Sequence, residues 1–271
     1  MANTPTGPAR YLTRFGESSV VCSQYAMTKL GVDRAHCFLK IDEYVILCVP
    51  YQMGFKRALF LASLSKQEQT FFQRYINGIV GLSIGFSPDR RPDPIKFFIR
   101  CNLTTVGQMK GRENVGVFAV DFKTTPNELV TVLGSFLETQ DRIKAQYEDY
   151  GKSMIRITPV VAKLLGYNMY ATITEPQARE KRIQIYSLST KVIEHLEAAG
   201  TAERPPGTSV AYQAYFKKYR IPLSGTVINT TRLPQGIVRT LANLAFSPEL
   251  VEIIDGYWYN MRANPALKAV Q

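Results

Sequence analysis

Two stretches of this chain share one kind of ending, and that repeat fixes how many folding units there are to build. The first is Asn114-Val115-Gly116-Val117-Phe118-Ala119-Val120-Asp121-Phe122, followed by Thr125-Pro126-Asn127-Glu128-Leu129-Val130. The second is Thr240-Leu241-Ala242-Asn243-Leu244-Ala245-Phe246, followed by Ser247-Pro248-Glu249-Leu250-Val251. Each is a β-rich run ending in Phe, then a hydroxyl residue, Pro, and acidic and apolar residues. The hydroxyl suits a helix N-cap, Pro the first helical position, and the acid the positive end of the dipole. Thr125-x-x-Glu128 also fits a capping box. Helical spacing follows both times. Leu129, Val130, Val132, Leu133, Phe136 and Leu137 form one stripe, which Ile143 and Tyr147 prolong. Leu250, Val251, Ile253, Ile254, Tyr257 and Trp258 form the other, stopped by Asn264-Pro265. Such stripes belong to cores, so each unit should end in a strand feeding a helix that packs back on a sheet.

The remaining pattern is mostly strand. β-Branched and aromatic runs at 37–41 and 44–49 flank Asp42-Glu43 as a hairpin. Further strands are expected at 57–62, 80–86, 95–102 and 115–122, then at 169–173, 182–187, 192–196, 209–216 and 221–228. Ser65-x-x-Glu68 opens a short helix carrying Phe71, Phe72, Tyr75 and Ile76, which stops at Asn77-Gly78. Turns are expected at Glu175-Pro176, Pro205-Pro206-Gly207 and Leu233-Pro234-Gln235-Gly236. Many short strands with one closing helix per half predict a mainly β, α+β chain. It should hold two tandem small antiparallel β-barrels, each closed by a C-terminal α-helix. The expected segments are an N-terminal arm at 1–20, domains at 21–150 and 151–265, and a tail at 266–271.

Little in the chain suggests catalysis. Its two histidines, His36 and His195, are too few for a triad or a metal site, and none of the common nucleotide-loop, zinc-protease or serine-hydrolase motifs is present. His195 lies in Val192-Ile193-Glu194-His195-Leu196-Glu197 and reads as a strand residue facing away from Ile193. The four cysteines, Cys22, Cys37, Cys48 and Cys101, lack C-x-x-C spacing, which argues against zinc or thioredoxin-like chemistry. The N-terminal residues lack a charged and then apolar stretch, and no run approaches the length of a membrane span. A reducing, cytoplasmic setting without membrane insertion is the expectation, with no enzyme activity, metal or resident cofactor. Net charge is +11, with 18 basic against 14 acidic residues in 1–150 and 15 against 8 in 151–271. That excess suits a phosphate-bearing partner and equally a dispersed solubilising charge.

The second half resembles the PilZ domain family. The family's signature is R-x-x-x-R ahead of the barrel and [DN]-x-S-x-x-G on an early strand, which together bind cyclic di-GMP. Lys152-Ser153-Met154-Ile155-Arg156 stands at the first place and Ser187-Leu188-Ser189-Thr190-Lys191-Val192 at the second. Pro206-Gly207-Thr208-Ser209-Val210 and Ser224-Gly225-Thr226-Val227 stand where such domains carry turns, and Phe246 with its helix fits their close. The resemblance spans about residues 151–265. The first half is similar to the PilZ-like N-terminal domain of two-domain spirochaete proteins, through Cys48-Val49-Pro50-Tyr51, Leu64-Ser65-Lys66-Gln67-Glu68 and Val120-Asp121-Phe122.

The resemblance implies a non-enzymatic signalling adaptor, and the departures say what it has lost. An arginine fork grips guanine or phosphate with two parallel hydrogen bonds, whereas Lys152 offers a point charge. Ser187 replaces a carboxylate or amide, and Val192 puts a β-branched side chain where a glycine allows close backbone approach. Arg156 and Ser189 remain. With each contact worth roughly 1–3 kcal/mol, three departures weaken binding by orders of magnitude. The expectation is a chain that acts through a protein partner and does not bind cyclic di-GMP in the usual manner. Two other readings stay open. One is a working cyclic di-GMP receptor using Lys152, Arg156 and Ser189 with further groups. The other is a nucleic-acid binder, drawing on the charge and on Tyr212-Gln213-Ala214-Tyr215-Phe216-Lys217-Lys218-Tyr219-Arg220. Arg10 and Arg14 repeat the R-x-x-x-R spacing on the N-terminal arm. They read either as a solvated arm with Tyr11 and Leu12 against the surface or as a clamp over a ligand site.

Overall fold

The computed structural model describes residues 7–87, 94–174, 180–217 and 219–264. The expected Glu175-Pro176 turn, Lys218, Pro265 and the tail lie outside the described residues, as do residues 1–6 of the arm. The chain divides into two compact units, Met1–Thr139 and Gln140–Gln271.

In the first unit the arm is helical: α1 (Pro8–Phe15) starts on a proline after Gly7. Then come β1 (Ser19–Val21) and α2 (Gln24–Leu30), a helix absent from the expected elements. Ser23 caps α2 by accepting from the Ala26 amide, and Gly31 ends it in the left-handed conformation at φ +63°. β2 (Val32–Ile41) and β3 (Tyr44–Leu47) make the expected hairpin, with Ile41 opposite Tyr44 and Asp42 at φ 53°. The run expected to reach residue 49 breaks at Cys48, where β4 (Val49–Gly54) begins. β3 pairs with β2, whereas β4 pairs with β5 (Arg57–Ser63). The Cys48 amide donates to the Cys37 carbonyl at 3.1 Å. One bent segment thus joins the two sides of the sheet.

The Ser65–Glu68 capping box forms as expected and starts α3 (Lys66–Gln73). β6 (Ile79–Phe86), β7 (Ile95–Met109) and β8 (Arg112–Phe122) complete an antiparallel sheet ordered β1-β4-β5-β8-β7-β6-β2-β3. Alternate residues point inward, so Leu39, Ile41, Phe60, Leu82, Ile84, Ile99, Phe118 and Val120 are all buried. α4 (Asn127–Tyr150) covers this sheet with Leu129, Val130, Leu133, Phe136 and Leu137, the expected stripe. Its expected Thr125 cap does not form: the helix starts after Pro126, and the Thr125 hydroxyl donates to the Phe55 carbonyl instead. Gly134 admits the Tyr11 ring of α1, since a Cβ there would stand 2.2 Å from it. The division between the units falls within α4.

The second unit repeats the plan. β9 (Ile155–Arg156) leads to α5 (Pro159–Leu165), another helix missing from the expectation. Thr158 caps it, Pro159 opens it, and Gly166 closes it at φ +70°. A hydroxyl cap, a seven-residue helix and a left-handed Leu-Gly exit thus precede the first long strand of each unit. β10 (Tyr167–Thr174), β11 (Lys181–Leu188), β12 (Val192–Glu197), β13 (Ser209–Phe216), β14 (Tyr219–Arg232) and β15 (Val238–Leu244) follow. They pair in the order β10-β13-β14-β15-β12-β11, and the β10–β11 ladder closes the ring into a six-stranded barrel. Ser247 caps α6 (Pro248–Ala263), which buries Leu250, Val251, Ile254 and Tyr257 as its stripe requires.

Two segments lie otherwise than their local pattern predicts. Ser224-Gly225-Thr226-Val227 is no turn but lies within β14, where a Cβ on Gly225 would meet the Asn243 carbonyl oxygen at 2.8 Å. His195 does not face away from Ile193: β12 pairs with β15 in unbroken register, so Ile193, His195 and Glu197 share the inward face and are all buried. Among the described residues no helix is long and apolar enough to cross a membrane.

Candidate functional site

The five candidate positions of the second unit cluster where β9 meets β11 and the β11–β12 hairpin turns. Register sets this: β9 places Arg156 opposite Ser187 and Ile155 opposite Leu188. Lys152 lies on the approach to β9, exposed, with its ammonium 3.0 Å from Asp149. Arg156 is exposed too, its guanidinium carbon 5.3 Å from the centre of the Tyr186 ring.

The two serines are turned to internal work. Ser189 is fully buried, and its hydroxyl accepts from the Lys191 and Val192 amides at 3.2 and 3.0 Å, which fastens the hairpin turn. Its own amide donates to the Val192 carbonyl at 2.8 Å. Ser187 donates at 2.6 Å to Glu194, directly opposite on β12. Val192 is half-buried at the start of β12, beside Asn243 of β15. Lys191 lies over the Tyr147 ring at 5.2 Å and pairs with Glu148.

A register shift in β11 between Ile185 and Ser187 leaves Tyr186 as an extra residue, and such bulges re-aim side chains. Tyr186 and Ser187 therefore both lie by Glu194. Arg239 of β15 completes the group. Its Nε donates to the second Glu194 oxygen at 2.5 Å, and its guanidinium carbon is 5.5 Å from the Tyr186 ring centre. Sequence reasoning missed Tyr186, Glu194 and Arg239. Glu194 looks like an ordinary outward strand residue, and only the bulge and the β12–β15 pairing bring the three together.

Inside the barrel sits a second polar group. Glu197 accepts hydrogen bonds from the two terminal guanidinium nitrogens of Arg204, one at 2.9 Å, and lies 3.2 Å from His195 Nε2. Burial alone would raise the Glu197 pKa, but the hydrogen bonds from His195 and Arg204, with the Arg204 charge, hold it down at about 2. The His195 and Tyr212 rings meet edge to face at 5.4 Å. Burial pushes the Tyr212 hydroxyl well above its ordinary range.

The arm arginines lie in the first unit. Arg10 and Arg14 both ion-pair with Glu138 of α4, at 2.8 and 3.3 Å, while Leu12 is exposed and Phe15 buried. Of the aromatic-basic stretch, Tyr212, Ala214 and Phe216 point into the barrel core. Tyr215 faces outward against Tyr170, with ring centres 5.1 Å apart and Arg182 over Tyr170 at 5.3 Å.

Two mainly β units, each ending in a strand, a proline and a helix, thus make up the chain: an eight-stranded antiparallel sheet, and a six-stranded barrel with its polar group at β9, β11 and β12. Residues 8–140 match the PilZN3 domain. No curated protein matches the chain in sequence. Among solved structures, the chain is similar to the Borreliella burgdorferi PlzA protein in complex with c-di-GMP, at 12% identity. That match covers 92% of this chain and 97% of the other, with a TM-score of 0.44. It is also similar to K. pneumonia MrkH with c-di-GMP, at 10% identity over 93% and 99% of the two chains and a TM-score of 0.33. A third is Escherichia coli YcgR with c-di-GMP, at 10% identity over 97% and 94% and a TM-score of 0.30.

Proposed function

We propose that this chain is a non-enzymatic, cytoplasmic PilZ-type signalling adaptor, linked to cyclic di-GMP pathways, that acts by contact with a protein partner. On this reading it does not hold cyclic di-GMP in the family's usual manner. The supporting observation is where the matching side chains are engaged. Ser187 donates to Glu194, Ser189 holds two turn amides, and Lys152 sits on Asp149. The family's grip needs these positions turned toward a ligand, and a buried hydroxyl already hydrogen-bonded gains little by exchanging partners.

Calorimetric titration of the full chain with cyclic di-GMP tests the reading. The expected result is no heat of binding in the micromolar range. A dissociation constant of about a micromolar or below, roughly −8 kcal/mol, would overturn it.

A further inference from the structure

Glu194 stands in an odd position for an acid. β12 sends Ile193, His195 and Glu197 inward, so Glu194 belongs to the outer face, yet it is only 8% exposed. What covers it is the group gathered by the bulge: Tyr186, Ser187 and Arg239. Its carboxylate takes a hydroxyl hydrogen bond on one oxygen and a guanidinium on the other. That pair of donors, one neutral and one cationic, is also the set that holds two oxygens of a phosphodiester. Beside it, Arg156 is exposed and, among the described residues, in no ion pair; it lies against the same Tyr186 ring. Arg239 remains 45% exposed along its side chain, so its fork is open to solvent as well as to Glu194.

We infer that Glu194 is a built-in competitor. It occupies, from within the chain, the anion position of an outer-face site formed by Arg156, Tyr186, Ser187 and Arg239, and a phosphodiester ligand binds there only by displacing it. The inference rests on the reading above, that the usual grip is lost, and gives a cause for that loss beyond the substituted motif residues. Arg239, on β15, is the cation such a site would use in place of the arginine that Lys152 replaces. Glu194 acts against a ligand twice, by holding Arg239 and by placing negative charge where phosphate oxygens would come.

The test is a cyclic di-GMP titration of the full chain as wild type, Glu194→Gln, and Glu194→Gln combined with Arg239→Gln. Glutamine keeps an acceptor for Ser187 and removes the charge. Affinity should rise at least about tenfold in Glu194→Gln, the scale of one charge-assisted contact, and return to the wild-type level in the double variant. Glu194→Thr, neutral and β-branched, is read in parallel so that an unfolded glutamine variant leaves the question answerable; circular dichroism identifies the folded ones. A folded neutral variant that binds no better than wild type overturns the inference and leaves the adaptor reading standing. So does a gain that survives Arg239→Gln. Micromolar binding by the wild type overturns the adaptor reading instead, whatever the variants do.

Discussion

The two units share a plan and differ in what they enclose. Each runs from a capped seven-residue helix through a left-handed glycine into an antiparallel sheet, and each ends in a strand and a long helix. Yet of the buried polar side chains among the described residues, the first unit holds Gln69 alone, and the other ten lie in the second. The first sheet is filled by rings and aliphatic groups such as Phe60, Phe118 and Ile99. The second sets a carboxylate, a guanidinium and an imidazole inside its barrel and a further acid just under its outer face. An apolar filling is non-directional and tolerates exchange; a buried ion pair is only as good as its geometry. One scaffold can therefore be built either as packing or as a set of fixed polar contacts, and the candidate site lies in the unit built the second way.

The largest effect should come from breaking that contrast at Glu197. Glu197→Ala leaves Arg204 buried without its bidentate partner and should destabilise the second unit by roughly 3–5 kcal/mol. Replacing both residues by methionine should cost less than the single change, since no charge is then stranded. Two-probe urea denaturation, with one reporter in each unit, measures both, and the first unit's transition should stay where it is.

Acid should sharpen the contrast. Glu197 has its pKa lowered from 4.5 to about 2 in the folded chain. A group depressed on folding contributes stability that is complete above its unfolded value and is lost as pH falls through the folded one. The second unit should thus weaken between about pH 4.5 and 2. Glu197→Gln should flatten that fall. An equal fall in both proteins would remove Glu197 as its cause.

The smallest effect belongs to the arm. Arg10 and Arg14 are about half exposed and share Glu138, so changing both to alanine should shift the first unit by less than about 1 kcal/mol. A larger shift in thermal melting would mean that α1 is held by these charges more than by Phe15 and by Tyr11 against Gly134.

Much of the scaffold could be read before any coordinates. The strands announce themselves because β-branched and aromatic residues alternate, and α4 and α6 because their stripes run for several turns. The helices α2 and α5 escaped for a physical reason: seven residues are too few to show a period. Their ends were nonetheless written in Ser23, Thr158-Pro159, Gly31 and Gly166. Thr125 misled because Pro126 begins the turn one residue late and leaves the hydroxyl to Phe55. The site was legible only in part. Spacing finds Arg156 and Ser187 and register then sets them side by side, but Glu194 and Arg239 meet through a bulge that no local pattern announces. Glu197 and Arg204 are paired by the path of a loop.

That loop, residues 198–208, is part of what the second barrel is made of. Arg204 comes from between β12 and β13, yet its side chain is inside and 4% exposed. The strand ladders alone do not complete the barrel, because the guanidinium that Glu197 accepts comes from the connection. A loop cut back past Arg204 would leave Glu197 buried without that cation. One arginine thus makes the connection, as well as the strands, part of the barrel's interior.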